Sequence, residues 1–438
     1  MVRTFVSRPR RTALQSLLLA AASTSMVWLA GCAATAPGTS STPGSAAPTP
    51  PSAATSAAST PADTHEREFA RWIEQFRAEA GAGGINESTL HAAFDGVQFL
   101  PEVVERDRAQ PEFTRAVWDY LDTAVSPARV TRGQDKRAEA GAAFDAAAAR
   151  YGVPAEILTA IWGMESNYGA NYGSTPTIDA LATLGFEGRR ADWARGQLMA
   201  ALRILQNGDI ARERMIGSWA GAMGQTQFLP SSFLSYAVDA DGDGRRDIWN
   251  SMADVAASTA NFMAREGWRP GQIWGVEVQL PSGFDYARAD DGLRQSSAQW
   301  SAEGLRTMDG APLPELSEAS VLLPGGARGP AFLVGPNFRA ILRYNNSSSY
   351  ALGVSLLAQR IAGGPGVQAA WPRELQPLSR SDMRALQEGL NAKGLNAGTP
   401  DGVIGPATRA AIRNYQRGAG LPADAYPTMD LLRRLQAP

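Results

Sequence analysis

The sequence predicts a mainly α-helical protein that has a minor β element and ends in a small three-helix domain. From residue 63 to 362, apolar residues recur mostly at the i, i+3 and i+4 positions that are typical of amphipathic helices. This spacing is clearest at 145–151, 154–166, 192–206 and 252–266. Two shorter segments, 274–280 and 319–323, have strand-like character and supply the β element.

The domain organisation follows from a change in composition after residue 362. Gly363-Gly364-Pro365-Gly366 interrupts the helical pattern and begins a linker predicted at 363–378. Residues 379–438 then form a compact unit of about three short helices. The length of 438 residues suggests two or three domains, and the hydrophobic content of 44% is ample for a sizeable core.

Composition disfavours several classes of function. With 41 basic and 43 acidic residues, the net charge is −2, whereas nucleic-acid partners favour a basic surface. The single cysteine, Cys32, cannot form an intramolecular disulfide. Both histidines, His65 and His91, precede the segment that is a candidate for catalysis, which disfavours a His-containing triad or a His-rich zinc site. Hydrolytic chemistry would therefore rest on carboxylates, and we expect no organic cofactor.

The first 32 residues have the layout of a secretory signal peptide. A basic start is followed by an apolar run over 13–30, which ends in Leu29-Ala30-Gly31-Cys32. This tetrapeptide resembles a bacterial lipobox, in which the cysteine becomes the lipidated first residue. The resemblance implies a lipid anchor at Cys32 and, because Ala33 is not an aspartate, a place on the periplasmic face of the outer membrane. An uncleaved membrane anchor is the alternative.

Residues 33–62 contain Ala, Ser, Thr, Pro and Gly without a charged or aromatic side chain. Such a segment cannot bury enough apolar surface to offset the entropy of ordering it. It is therefore predicted to be a flexible tether, which would let an anchored enzyme reach a fixed polymer.

A carboxylate on an apolar helix face is the strongest chemical signal. Pro154 fits the first turn of a helix, and Gly169 fits just past its end. Glu165 follows Ile157 and Ile161 at helical spacing, so it projects from the same stripe. Burial and the negative end of the helix would both raise the pKa of this carboxyl, as a general acid requires. The alternative is a Glu that only hydrogen-bonds a neighbouring loop.

A second candidate is the segment 217–230, in which Gly-Ala-Met-Gly allows the backbone to approach a ligand closely. It combines neutral hydrogen-bonding groups with flat aromatic rings, namely Ser218, Gln225, Gln227, Trp219 and Phe228. This combination suits a sugar polymer, whereas the alternative is a structural turn between two helices.

Together, the Trp-Gly-Met-Glu-Ser-Asn-Tyr-Gly sequence at 162–169 and the Ala-Gly-Ala-Met-Gly-Gln-Thr-Gln-Phe-Leu-Pro sequence at 220–230 resemble the membrane-bound lytic murein transglycosylase B family. The resemblance covers about residues 66–361 and implies a lysozyme-like, α-helical catalytic domain at 63–362. It implies that Glu165 is the catalytic residue. It also implies that the glycan is bound by Ser218, Gln227, Phe228, Arg189, Arg190, Tyr344, Asn345 and Tyr350. The sequence departs from the family where it has Trp193 instead of a tyrosine.

Ordinary glycosidases use two carboxylates, and no second acid has a comparably apolar setting, although Asp179 and Asp192 remain open. The family resemblance implies a substrate-assisted route, in which the N-acetyl group supports the developing charge and the muramic 6-hydroxyl closes a 1,6-anhydro ring. A hydrolytic muramidase and a non-catalytic wall tether are the alternatives.

The sequence from Asp239 to Asn250 matches the start of an EF-hand loop and predicts a structural calcium site. Its candidate ligands are Asp239, Asp241, Asp243 and the backbone carbonyl of Arg245. Asn250 stands where the usual bidentate Glu would be, and the family resemblance implies Asp254 as the late ligand. The alternative is an acidic turn without a metal.

The C-terminal unit carries the Asp-Gly-Val-Ile-Gly-Pro-Ala-Thr sequence at 401–408, which resembles a peptidoglycan-binding domain of the three-helix type. Thr408 is expected to help cap a helix. Such a module would raise the enzyme's effective concentration on its insoluble substrate. A mere structural appendage is the alternative. We expect peptidoglycan glycan strands as the main partner, cell-wall synthesis proteins as further partners, and a monomeric chain.

Overall fold

The computed structural model describes residues 61–109, 115–289 and 292–437. The predicted signal peptide, Cys32 and nearly all of the predicted tether lie outside the described residues. Within them, no helix is both long enough and apolar enough to cross a membrane.

The described residues form a large, mainly helical first unit, a small antiparallel sheet and a C-terminal three-helix unit. The helices of the first unit are α1 (Pro61–Ala82), α2 (Glu87–Phe94), α3 (Pro101–Arg108), α4 (Val117–Ala124), α5 (Pro127–Glu139), α6 (Gly141–Tyr151), α7 (Ala155–Ser166), α8 (Thr177–Glu187), α9 (Ala191–Gln206), α10 (Pro230–Tyr236), α11 (Met252–Arg265), α12 (Ser297–Ala302), α13 (Pro336–Tyr344) and α14 (Ser348–Ile361). The last three are α15 (Arg380–Ala392), α16 (Pro406–Gly418) and α17 (Met429–Gln436).

The central helix of the fold is α7, which packs against α5, α6, α11 and α14. The predicted apolar stripe is buried, but burial extends around almost the whole helix because neighbours cover it on several sides. Leu158 and Ile161 are fully buried, and each contributes about 2 kcal/mol of hydrophobic stabilisation. The helix begins one residue later than predicted, with Pro154 as its N-cap.

The strands are β1 (Thr175–Pro176), β2 (Ile216–Gly217), β3 (Gly275–Gln279), β4 (Arg306–Thr307), β5 (Ser320–Leu322) and β6 (Ala331–Val334). The two predicted strand segments correspond to β3 and β5, whereas β6 lies between them in the antiparallel order β4-β3-β6-β5. Val276 faces Leu333 and Val321 faces the same residue from the other side. This sheet packs around its own core, which contains Trp300.

The C-terminal unit has a separate core on α15, α16 and α17, as the sequence pattern predicts. Thr408 does not cap α16; its hydroxyl donates to the Ala397 carbonyl at 2.9 Å. The buried Gln387 amide donates to Thr408 and to Asp401, so the signature sequence holds a loop against α15. The motif therefore has a structural function in addition to any contact with a ligand.

The predicted linker at 363–378 is held against the first unit and the sheet by hydrogen bonds. The backbone amides of Gln368 and Ala369 each donate to the Glu277 carboxylate at 2.8 Å. Arg373 donates to both carboxylate oxygens of Asp122, at 2.8 and 2.9 Å. The linker thus contacts the sheet through Glu277 of β3 and the first unit through Asp122 of α4.

Candidate active site

Glu165 occupies the last turn of α7, and the residue as a whole is half-buried. The hydroxyl of Tyr350 donates a hydrogen bond to Glu165 Oε1 at 2.5 Å. Burial raises the pKa of Glu165 to about 7, and the hydrogen bond from Tyr350 opposes this increase. A carboxyl with this pKa can both give and take a proton near neutral pH.

Tyr350 reaches Glu165 because α14 packs against α7. The Ser347 hydroxyl caps α14 by accepting from the Tyr350 amide, which fixes the start of the helix. Burial raises the pKa of Tyr350 well above its usual value, and the nearby Glu165 charge raises it further. Tyr350 therefore stays protonated and remains a donor to Glu165.

The charge of Glu165 also raises the pKa of two more tyrosines, Tyr120 and Tyr344. Burial, followed by the Glu165 charge, raises the pKa of Tyr120 to about 12 and that of Tyr344 well above its usual value. The Tyr344 hydroxyl donates to the Thr226 carbonyl at 2.6 Å. Sequence reasoning missed Tyr120 because it lies on α4, forty-five residues before Glu165, and belongs to neither motif.

The segment after β2 is held next to α7 by Gln225. Its amide oxygen accepts from the Trp162 indole at 2.7 Å, and its amide nitrogen donates to the Trp249 carbonyl at 2.7 Å. A glycine is required at 217, since a Cβ there would lie 1.9 Å from the Ala222 carbonyl oxygen. Gln225 therefore links the two predicted motifs, a role that the sequence did not reveal.

The predicted glycan ligands Ser218 and Gln227 both lie in this segment and are half-buried. The Ser218 hydroxyl accepts from the Ala222 amide at 3.1 Å. The Gln227 amide donates to the Tyr172 and Gly224 carbonyls at 3.0 and 2.9 Å. Both side chains thus help to fix the loop on which they stand.

Phe228 is placed differently from the prediction that it offers a flat face to a sugar. Its side chain is only 2% exposed and lies against the rings of Phe262 and Tyr344, with centroids 5.8 Å apart in each case. Its ring faces are covered because three elements meet at this point. Phe228 therefore supports Tyr344 from within the core, and the prediction of direct stacking is corrected.

Arg189 and Arg190 are exposed in the turn between α8 and α9. The buried carboxylate of Asp107 accepts from the Arg189 amide at 2.8 Å, and the Arg190 guanidinium lies 4.4 Å from the Trp193 ring centroid. At the other edge of the site, Asn345 follows Tyr344 directly. Among the described residues, the Asn345 Oδ1 atom is buried without a hydrogen-bond partner.

The two acids that remained open as second catalytic groups have other surroundings. Asp179 is buried and paired with Arg212 at 2.9 Å. It also accepts from the Gln98 amide at 2.8 Å. Asp192 is exposed in the first turn of α9. Neither arrangement resembles that of Glu165.

The acidic loop brings together three of its predicted ligands. Asp239, Asp241 and Asp254 each offer a carboxylate oxygen, and these oxygens lie within 4.8 Å of one another. Asp254 is fully buried in the first turn of α11, and its carboxylate accepts from the Ala240 and Asp247 amides, each at 2.7 Å. Asp243 is not part of this group, and its carboxylate accepts from the Arg245 amide at 2.8 Å. The donor set of hard oxygens fits calcium.

Comparison with known proteins gives two matching families. The transglycosylase SLT domain model matches residues 68–359, and the peptidoglycan binding domain model matches residues 379–435. Membrane-bound lytic murein transglycosylase B of Escherichia coli (strain K12) is 38% identical over 219 residues, which are 48% of this chain and 58% of the relative. The match thus spans somewhat more than half the length of that curated relative.

Solved structures extend the similarity. SltB3 from Pseudomonas aeruginosa, in complex with NAG-anhNAM-pentapeptide, has a TM-score of 0.82 and 53% identity, covering 84% of this chain and 99% of that chain. The Escherichia coli lytic transglycosylase Slt35, in complex with calcium, has a TM-score of 0.55 and 32% identity, covering 67% and 92%.

These matches confirm the resemblance, the mainly α-helical fold class and the lysozyme-like character of the catalytic unit. The first family model covers more than half of the chain, and its span contains both Glu165 and the 217–230 segment. The chain therefore belongs to the transglycosylase SLT domain family of lytic transglycosylases, and it carries a C-terminal peptidoglycan-binding domain.

Proposed function

We propose that this protein cleaves the β-1,4 bond between MurNAc and GlcNAc in peptidoglycan and leaves 1,6-anhydro-MurNAc ends, with Glu165 as its single acid and base. The observation that carries this proposal is the half-buried Glu165, whose pKa is raised to about 7 and which accepts a hydrogen bond from Tyr350. At neutral pH about half of such a carboxyl is protonated, so both roles are accessible.

In the first step, protonated Glu165 gives its proton to the glycosidic oxygen while the C1–O bond breaks. The substrate's own N-acetyl oxygen bonds to C1 and stabilises the positive charge. In the second step, ionised Glu165 takes the proton of the muramic 6-hydroxyl, whose oxygen displaces the N-acetyl oxygen from C1. Glu165 is thereby reprotonated, and no water is consumed.

Tyr350 has a defined part in this cycle. Its hydroxyl donates to Glu165, and hydrogen bonds to a charged acceptor are stronger than those to a neutral one. It therefore supports Glu165 during the interval in which the carboxylate is ionised. Without it, burial alone would make that interval less favourable.

Substrate contacts are proposed for groups around Glu165 and along the neighbouring turns. Asn345 is half-buried, and the family resemblance implies that it hydrogen-bonds the sugar. The exposed Arg189 and Arg190 suit the lactyl or peptide carboxylates of the wall polymer. Ser218 and Gln227 complete the set by the family resemblance. The related SltB3 structure contains NAG-anhNAM-pentapeptide, whose anhNAM unit is the kind of end proposed here.

We further propose a structural Ca²⁺ held by Asp239, Asp241 and Asp254. The loop joins α10 to α11 and follows the segment 217–230, so the ion would stiffen the chain just after that segment. The relative Slt35 has been solved in complex with calcium. The ion takes no part in the chemistry proposed for Glu165.

Anchoring is the last part of the proposal. The lipobox at Cys32 would hold the chain on the periplasmic face of the outer membrane, and the curated relative is named as membrane-bound. Residues 379–438 would bind the wall and keep the catalytic unit close to it.

The decisive experiment compares Glu165→Gln with Glu156→Gln, a control on the same helix. Each full-length variant is incubated with purified peptidoglycan, and soluble products are analysed by mass spectrometry. We expect wild type and the control to release anhydro-muramyl products, and Glu165→Gln to release none while still binding the wall. Normal release by Glu165→Gln would refute the assignment. Products heavier by one water would instead identify a hydrolytic muramidase.

A further inference from the structure

The backbone just after Glu165 adopts an unusual conformation. Asn167, Tyr168 and Gly169 have φ angles of 50°, 59° and 76°, so three consecutive residues are left-handed. Only the third is a glycine, and side chains disfavour this conformation. Such a turn persists only when its surroundings fix it. The surroundings of Tyr168 therefore identify what holds the end of α7.

The Tyr168 ring fills a slot that two glycines create. It is 3% exposed and lies between Gly133 on α5 and Gly163 on α7. A Cβ at Gly163 would lie 2.5 Å from the ring, and one at Gly133 would lie 2.6 Å from the phenol oxygen. The slot therefore closes as soon as either position gains a side chain.

Polar contacts lock the ring in this slot. The Tyr168 hydroxyl donates to the Arg129 carbonyl at 2.9 Å, and the Arg129 guanidinium donates to the Gly163 carbonyl at 2.7 Å. On the opposite side of the turn, the Ser166 hydroxyl donates to the Trp162 carbonyl and accepts from the Gly169 amide, each at 3.0 Å. The last turn of α7 is thus tied to α5 and to itself.

We infer that Tyr168 is a positioning residue that clamps the last turn of α7 and so fixes where the Glu165 carboxyl lies against the glycan. This inference rests on the catalytic role proposed for Glu165. Tyr168 itself is only 3% exposed, so it acts through the backbone of the turn and not through contact with the glycan. Its effect is geometric, because an acid displaced by about 1 Å loses about 100-fold in rate.

The test measures kcat and KM of full-length variants on soluble peptidoglycan glycan strands of defined length. Tyr168→Ala is expected to lower kcat about 100-fold with KM within about twofold of wild type. Tyr168→Phe, which keeps the ring in the slot, should restore kcat to within about tenfold of wild type. Gly163→Ala, whose Cβ would have only Tyr168 atoms as its three nearest neighbours, should resemble Tyr168→Ala although it leaves Tyr168 intact. Its matched control is Gly196→Ala, since a Cβ on that helical glycine meets no atom within 4 Å.

Circular dichroism and thermal melting establish that each variant is folded, and rates are compared per folded molecule. Wild-type kcat in Tyr168→Ala would overturn the inference. Should that variant fail to fold, Tyr168→Leu and Gly163→Ala decide by the same comparison. The proposed function fails separately, if Glu165→Gln stays active. If Glu165→Gln is inactive and Tyr168→Ala is fully active, the inference about Tyr168 fails and the proposed function stands.

Discussion

Replacing Tyr350 by Phe removes one hydrogen bond from Glu165 and leaves the ring in place. The pKa of Glu165 is about 7 because burial raises it and this hydrogen bond lowers it. Loss of the bond should therefore raise the pKa of Glu165 further. A hydrogen bond to a charged group contributes about 1.5–3 kcal/mol, and one pKa unit corresponds to about 1.4 kcal/mol. The expected increase is therefore about one to two units.

The sign of the kinetic effect follows from the first chemical step. Glu165 must be protonated to act, so kcat falls as pH rises through its pKa. The alkaline limb of kcat against pH should lie near pH 7 in wild type and about one to two units higher in Tyr350→Phe. The Tyr120 and Tyr344 phenols stay neutral in this range, because burial raises the pKa of both.

The assay records kcat from pH 5 to 9 on soluble glycan strands, and Tyr415→Phe in the C-terminal unit is the control. The control should reproduce the wild-type profile. An alkaline limb that stays in place, or moves to lower pH, in Tyr350→Phe would refute the coupling between Tyr350 and Glu165.

Three further outcomes are expected. Glu165 has a folded-state pKa of about 7 against an ordinary 4.5, so its contribution to stability is complete below pH 4 and lost as pH rises through 7. Glu165→Gln should therefore gain stability, relative to wild type, by on the order of 3 kcal/mol between pH 4 and pH 8 in urea denaturation; an equal gain at both pH values would contradict this. Removing Ca²⁺ with EGTA should lower Tm, and Ca²⁺ at 100 times its Kd should restore about 2.7 kcal/mol in wild type but not in Asp254→Asn; the same restoration in both would place the ion elsewhere. Gly217→Ala puts a Cβ 1.9 Å from the Ala222 oxygen and should reduce kcat at least about tenfold, whereas unchanged kinetics would show that the turn tolerates displacement.

The spacing of apolar residues along the chain predicts most of the structure that the sequence can predict. The helix around Glu165 was predicted to within one residue at its start, and the three C-terminal helices were predicted as a unit, because amphipathic spacing records which face is buried. The strand β6 was missed because its residues are all buried and do not alternate. The tight turn at Asn167 and Tyr168 was also missed, since the glycine signal lies only at residue 169.

The candidate site was predictable where residue type and motif coincide, and less so where tertiary packing decides. Glu165 and Tyr350 were both named from the family motifs, but Tyr350 was expected as a glycan ligand and the structure shows it donating to Glu165. Phe228 stands beside polar residues in the sequence, yet its ring is in the core. Tyr120 approaches from a distant helix without any motif. Contacts between distant segments depend on how helices pack, and a single sequence does not record that.

The most direct measurement is the titration of the Glu165 carboxyl itself in the wild-type protein. Chemical shifts of ¹³C-labelled glutamate, assigned by comparison with Glu165→Gln, give its pKa without reference to turnover. The expected midpoint is near pH 7, because burial raises the pKa of this carboxyl. A midpoint near the ordinary value of 4.5 would contradict the claim that one partly buried acid performs both proton transfers.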